Sequence, residues 1–137
     1  MQMDINFWAV LAGALLYFAG GALWYSPVLF ANSWMEAVGL TKESLEQAKK
    51  DAWKSYLISA VSVLLICYGM ARLMGYMDAY TLMGGIQTGF WSWLIFVMTT
   101  SAINSSFAGR PLRLYLIDGF YHLYGFLVAG IILGVWR

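Results

Sequence analysis

The sequence predicts an all-α integral membrane protein, a four-helix bundle with a short interfacial helix between the first and second spans. Of its 137 residues, 61% are hydrophobic and 11% are charged, and the mean hydropathy is +0.68. Soluble domains are about 45–50% apolar and about 25% charged, so the lipid bilayer is expected to be the partner of this chain. Four apolar stretches have the length of about 20 residues that a helix needs to cross a hydrocarbon core of about 30 Å. They cover about residues 6–26, 55–74, 80–103 and 112–136 of a single transmembrane domain, residues 1–137.

The first span is expected to remain in the mature protein. No Lys or Arg precedes its apolar run, which ends in Trp24, Tyr25, Ser26 and Pro27 rather than in the small residues of a cleavage site. Proline removes a backbone donor, so the helix is predicted to end at Pro27.

The polar segment that follows is predicted to contain two helix starts. Phe30, Trp34 and Val38 recur every four residues, which indicates a short helix lying in the membrane interface. Thr41 is a favourable N-cap and Glu43 lies in the first turn after it, so a new helix is predicted to begin there and to run into the second span.

A tight polar turn is predicted between the third and fourth spans. Residues 104–106 are Asn-Ser-Ser and residues 109–111 are Gly-Arg-Pro, which are residue types that favour turns.

Basic residues near the span ends predict the orientation. Two lie on one side, Arg72 and Arg137, and six flank the first and third loops: Lys42, Lys49, Lys50, Lys54, Arg110 and Arg113. Because basic loops stay in the cytoplasm, both termini are expected outside the cytoplasm of a cell inner membrane.

Asp118 and His122 are the ionisable side chains predicted to lie inside the spans, where a charged group is costly. Their spacing of four residues places them on one face of the fourth span. A carboxylate beside an imidazole can hold, pass or sense a proton. This pair is therefore the centre of the candidate polar site.

Further polar groups are expected at the same cytoplasmic end, where the first and third spans end and the fourth begins. These candidates are Trp24, Tyr25, Asn104 and Arg110. Gln87, the strongest polar group in a stripe of Ser and Thr on the third span, completes the site. The favoured interpretation is structural: Asp118 accepts hydrogen bonds from Arg110, Tyr25, Ser26 or Asn104 and holds the helices together. A titrating functional site is the second interpretation.

Small residues recur at four-residue spacing in two spans. Gly85 and Gly89 lie on the third span, and Gly130 and Gly134 lie on the fourth. Such pairs permit close approach of helices, and packing within the bundle is favoured over packing between protomers.

Several function classes are not expected. A net charge of +1 gives no basic surface for nucleic acid. One Cys and one His give no paired-cysteine metal site, and neither a cofactor nor a metal is predicted. No Walker loop, HExxH helix, GxSxG elbow or dinucleotide fingerprint is present in the sequence, so an enzyme is not expected.

Two blocks of sequence carry a resemblance to a known family. The first is GALWYSP at residues 21–27, and the second is GRPL at residues 109–112, followed by LIDG at 116–119 and YHL at 121–123. The chain resembles the small prokaryotic membrane proteins grouped as domain of unknown function 1761. The resemblance implies four helices in one domain and no established activity, and it supplies no catalytic residues.

The sequence leaves three functions open. The first is a homo-oligomeric bundle that binds or conducts a small solute or ion at the polar site. The second is a structural or accessory membrane protein, in which residues 28–54 bind lipid or a partner protein. The last is an intramembrane enzyme acting on lipid or quinone, with His122 as general base.

Overall fold

The computed structural model describes residues 4–137, which contain helices and, within that range, no β-strand. The elements are α1 (Phe7–Trp24), α2 (Ala31–Val38), α3 (Lys42–Met77), α4 (Leu82–Ser92), a π-helical segment (Trp93–Met98), α5 (Thr99–Phe107) and α6 (Leu112–Val135). Of these, α1, α3 and α6 are long and apolar enough to cross a membrane. The all-helical class is confirmed, and three of the four predicted spans coincide with such helices.

The third predicted span, residues 80–103, is divided among α4, the π-helical segment and α5. Backbone dihedral angles stay in the right-handed helical region at both junctions, so the helical path continues through them. It ends after Phe107, and Gly109 then adopts a positive φ of 61°. Residues 104–106 are thus helical, and their prediction as part of the turn is wrong. Asn and Ser do not by themselves break a helix, whereas Gly109 tolerates the left-handed conformation.

The start of α3 is capped as the sequence predicts. The Ser44 backbone N–H donates to Thr41 Oγ1 at 3.2 Å, and the Thr41 backbone N–H donates to Ser44 Oγ at 2.9 Å. This capping box satisfies two backbone donors at the helix start. The helix then continues without interruption from Lys42 to Met77, which confirms that the polar segment runs into the second span.

The central helix is α6, which packs chiefly against α4 and α1. A Cβ atom built on Gly85 would overlap the carbonyl oxygen of Gly130, and one built on Gly130 would overlap that of Gly85. Gly89 and Gly134 meet the opposite helix in the same way, at Phe126 and Thr81. The glycine pairs therefore serve close packing within the chain, as favoured from the sequence.

The first half of α3 packs only loosely against the other helices, with Tyr56 meeting Phe18 of α1 edge to face at 6.5 Å. None of its residues before Val63 is buried, whereas Val63, Cys67, Met70 and Met74 belong to the core. Because the helix is continuous, its N-terminal half extends beyond the packed part of the molecule. An open space remains between that half, α2 and the start of α6.

Candidate functional site

The space beside the first half of α3 is an open cavity of about 810 Å³. Its walls come from α2, from α3 between Leu45 and Ser59, and from α6 between Leu114 and His122. Ser101 and Ser105 of α5 also line it, together with Tyr25, Leu40 and Arg110. Most of the lining surface is apolar, and the polar groups on it come from Asp118, His122, Lys49, Arg110, four serines and four tyrosines. Ligand cavities commonly combine apolar walls, which contribute affinity, with polar groups that fix orientation.

Asp118 lines this cavity and is held by the chain segment that follows α1. The hydroxyl of Tyr25 donates to Asp118 Oδ1 at 2.7 Å. Tyr25 is the C-cap residue of α1, so its position follows from where that helix ends. In the part of the chain that the structure describes, no Lys, Arg or His nitrogen lies within 4.0 Å of the Asp118 carboxylate. The carboxylate thus has one hydrogen bond and no ion pair there.

His122 lies one turn after Asp118 and also lines the cavity. Its Nδ1 is 2.6 Å from the hydroxyl of Tyr17, which is fully buried in α1. The hydroxyl of Tyr121 donates to the Tyr17 backbone carbonyl at 3.3 Å, and the Tyr17 and Tyr121 rings meet edge to face at 5.6 Å. The imidazole is therefore fixed from the core side, and its exposed part faces the cavity.

Two tryptophans fix α6 on either side of Asp118. Trp24 Nε1 donates to the Ile117 carbonyl at 3.1 Å, and Trp93 Nε1 donates to the Gly119 carbonyl at 2.7 Å. Helix carbonyl oxygens have a second lone pair, so they accept these bonds without losing the helical ones. Trp24 comes from the end of α1 and Trp93 from the π-helical segment. Both hold the backbone that carries Asp118.

The structure brings part of the predicted site together. Asp118, His122 and Tyr25 share the cavity, and Trp24 holds the adjoining backbone. Arg110 lines the cavity at the turn before α6, but it is exposed and forms no ion pair with Asp118.

Asn104 and Gln87 lie elsewhere. Asn104 is exposed on α5 and does not line the cavity. Gln87 lines a second hollow of about 430 Å³, between the C-terminal half of α3 and the segment from α4 into the π-helix. Gly84, Thr88 and Ser92 also line this mainly apolar hollow. The polar groups predicted from the sequence are therefore divided between the two hollows, with Asn104 lining neither.

Sequence reasoning did not find Tyr17 or Trp93 as site residues. Tyr17 is a phenol in the middle of an apolar span, and a buried hydroxyl generally has a partner, which is the signal that points to it. Trp93 is likewise a polar-tipped ring away from a span end. The sequence does not show which group the Tyr17 hydroxyl or the Trp93 indole N–H binds.

The fully buried side-chain polar atoms of the described chain are hydrogen-bonded. Among residues 4–137, no buried side-chain nitrogen or oxygen lacks a hydrogen-bond partner. Over the same range, no three His, Cys, Asp or Glu side chains come together as ligands of a metal ion would. The cavity offers one carboxylate, one imidazole, four phenols, four serine hydroxyls and the positive charges of Lys49 and Arg110 on a mainly apolar surface.

A family model described as protein of unknown function (DUF1761) matches residues 8–134. The curated proteins and the solved structures contain no match to this chain.

Proposed function

Since the chain belongs to a family whose description gives no activity, we propose from its own geometry that it is a multi-pass membrane protein that binds a small solute in the cavity beside Asp118. The observation that carries this proposal is the cavity itself, which is open, is lined mainly by apolar groups and contains one carboxylate without an ion pair. Convergence of a few polar groups in such a cavity is the usual sign of a binding site.

Four membrane spans are proposed, with the path from α4 through α5 as the third. Leu82–Ser92, Trp93–Met98 and Thr99–Phe107 contain 11, 6 and 9 residues. At about 1.5 Å per residue they extend over about 38 Å, more than the roughly 30 Å of a hydrocarbon core. Large apolar side chains on this path are exposed, including Ile95 and Phe96, and contact with lipid accounts for them.

The cavity is proposed to face the cytoplasm of a prokaryotic inner membrane. It lies at the end of the molecule that carries Lys49 and Arg110, on the basic side of the chain. The positive-inside rule then places both termini on the opposite side.

A single chain is proposed to bind its solute rather than to conduct it. The cavity ends on a packed core that includes Tyr17, Cys67 and Met74, each with no exposed surface. Transport across the membrane would then need an assembly of several chains. The hollow at Gln87 is the proposed face for it, because an amide exposed among apolar groups gains hydrogen bonds from a second copy.

A structural or accessory role is the second candidate. The hydrogen bonds from Tyr25, Trp24 and Trp93 to α6 already join three parts of the chain. Satisfied buried networks of this kind hold helices in place without binding anything. In that case the cavity has no specific occupant.

Labelling of a single cysteine in the cavity tests the proposal. Ser59 lines the cavity, and Ile58 is 66% exposed at the same depth on another face of α3. In inverted membrane vesicles, Ser59→Cys is expected to react with a membrane-impermeant maleimide at least tenfold faster than Ile58→Cys, because the reaction needs a thiolate in water. The natural Cys67 is fully buried, so the parent protein should not be labelled and serves as the negative control.

The same variants test the orientation. In intact cells neither cysteine is expected to react, since the cavity opens to the cytoplasm. Equal rates for Ser59→Cys and Ile58→Cys in inverted vesicles would contradict a hydrated cavity, and labelling of Ser59→Cys in intact cells would contradict the proposed orientation.

A further inference from the structure

We propose that the cavity takes an organic cation, a protonated or quaternary amine with apolar substituents, whose charge lies against the Asp118 carboxylate. This inference rests on the proposed function, since it names the class of solute for the same cavity.

The first step is that the Asp118 carboxylate has no positively charged partner in the described chain. A carboxylate has about four acceptor sites, and Asp118 receives a hydrogen bond from Tyr25 on one oxygen. In the described chain no basic nitrogen lies within 4.0 Å of it. A partly buried charge in mainly apolar surroundings is stabilised by an opposite charge, so an incoming cation supplies what the chain does not.

The second step is the aromatic lining near that carboxylate. Rings of Trp34, Tyr56 and Tyr115 line the cavity together with those of Tyr25 and Tyr121. The ring of Tyr25, whose hydroxyl binds Asp118, meets the ring of Tyr121 edge to face at 5.3 Å and that of Trp34 at 6.1 Å. Aromatic faces attract ammonium groups and also pack against apolar substituents.

The third step excludes an inorganic cation. Hard metal ions take six or more oxygen ligands in proteins, or carboxylates in groups. Asp118 is the one carboxylate that lines this cavity, and the other side-chain oxygens there are neutral hydroxyls of four serines and four tyrosines. A volume of about 810 Å³ also suits a molecule with several rings or chains better than a bare ion.

Three basic residues line the cavity: His122, whose Nδ1 is bonded to the Tyr17 hydroxyl, and Lys49 and Arg110, whose positive charges oppose the binding of a cation. Lys49 is paired with Glu46 at 3.2 Å, which offsets its charge. Arg110 lies before the start of α6, and about 9 Å of helix rise separates that start at Leu112 from Asp118. Because the Coulomb energy falls with distance, a cation in contact with Asp118 gains more from the carboxylate than it loses to Arg110.

A pair of probes with one shape and opposite charges tests the inference. Tetraphenylphosphonium is a cation and tetraphenylborate is an anion of nearly the same size. In isothermal titration of the detergent-solubilised full chain, we expect tetraphenylphosphonium to bind saturably and tetraphenylborate not to bind saturably. Asp118→Asn should weaken tetraphenylphosphonium binding at least tenfold, since an amide oxygen still accepts the Tyr25 bond but carries no charge.

A second variant covers the case in which Asp118→Asn does not fold. Ala52 lines the cavity from α3, and Ala52→Trp fills part of the space while leaving Asp118 in place. It should also remove tetraphenylphosphonium binding. Leu57→Trp is the matched control, because Leu57 is 58% exposed on the same helix and does not line the cavity.

Three outcomes would overturn the inference. They are saturable binding of tetraphenylborate that Arg110→Gln removes, undiminished tetraphenylphosphonium binding by folded Asp118→Asn, and no binding of either probe. None of these outcomes contradicts the proposed function if the maleimide still labels Ser59→Cys in the cavity. Loss of that labelling would instead remove the proposed function.

Discussion

Gly85→Val is expected to prevent the chain from folding. The Cβ of any residue at position 85 would overlap the Gly130 carbonyl oxygen of α6, and this is backbone that cannot rotate away. Overpacking in a core commonly costs about 1–3 kcal/mol, and a clash with backbone in the most extensive helix contact of the molecule should exceed that range. The measurement is the yield and melting temperature of the detergent-solubilised protein, followed by size-exclusion chromatography.

Gly69→Val is the matched control. Gly69 lies in α3, and a Cβ built there has no atom within 4 Å. The control should keep the yield and elution volume of the parent protein. If Gly85→Val behaves like Gly69→Val, then α4 and α6 do not approach each other as described.

Tyr17→Ala is expected to have the second largest effect. Tyr17 has no exposed surface, its ring packs against Tyr121, His122 and Phe126, and its hydroxyl is bonded to His122 Nδ1. Removal of a buried aromatic ring costs about 3–5 kcal/mol through lost packing and the remaining cavity. Loss of the hydroxyl alone costs about 1–3 kcal/mol when its partner stays buried.

A series at position 17 separates the two contributions. Tyr17→Phe should lower the melting temperature by less than Tyr17→Ala does, because it keeps the ring packing. Tyr76 is 64% exposed on α3, so Tyr76→Ala should change the melting temperature little. Equal decreases for Tyr17→Phe and Tyr17→Ala would show that the His122 bond, not the ring, dominates.

Much of the helical arrangement follows from the sequence because length and hydropathy determine which segments cross lipid. The bounds of α1, α6 and the apolar part of α3 are predicted to within a few residues. The hydrogen bond between Tyr25 and Asp118 could also be predicted, since topology places the end of the first span beside the start of the fourth.

The prediction for Asn104 is right about the end of the bundle and wrong about the helix face, since Ser101 and Ser105 of the same helix line the cavity. The wider turn of the π-helical segment contains an extra residue, and each residue turns the helix by about 100°, so the faces after Trp93–Met98 are rotated relative to a regular α-helix. Asn104 comes after this segment and lies away from the cavity. A single sequence carries no clear pattern for such a segment.

Gln87 and Tyr17 illustrate a second limit of prediction from the sequence, which concerns helix faces. A membrane helix is apolar on all sides, so hydropathy periodicity does not tell which face meets lipid and which meets another helix. Which face of a helix meets its neighbour is instead determined by close packing, as at Gly125, where a Cβ would overlap the Tyr17 ring. The partner of Tyr17 and the separate position of Gln87 therefore emerge only in three dimensions.

The most direct test of the central claim, that the cavity binds a small molecule, is native mass spectrometry of the full chain released from lipid nanodiscs. The parent protein is expected to retain a defined small mass, and Leu57→Trp should retain it too. Ala52→Trp, which fills the cavity, should lose it. A parent protein with no retained mass, or a mass kept by Ala52→Trp, would contradict the claim and favour the structural role.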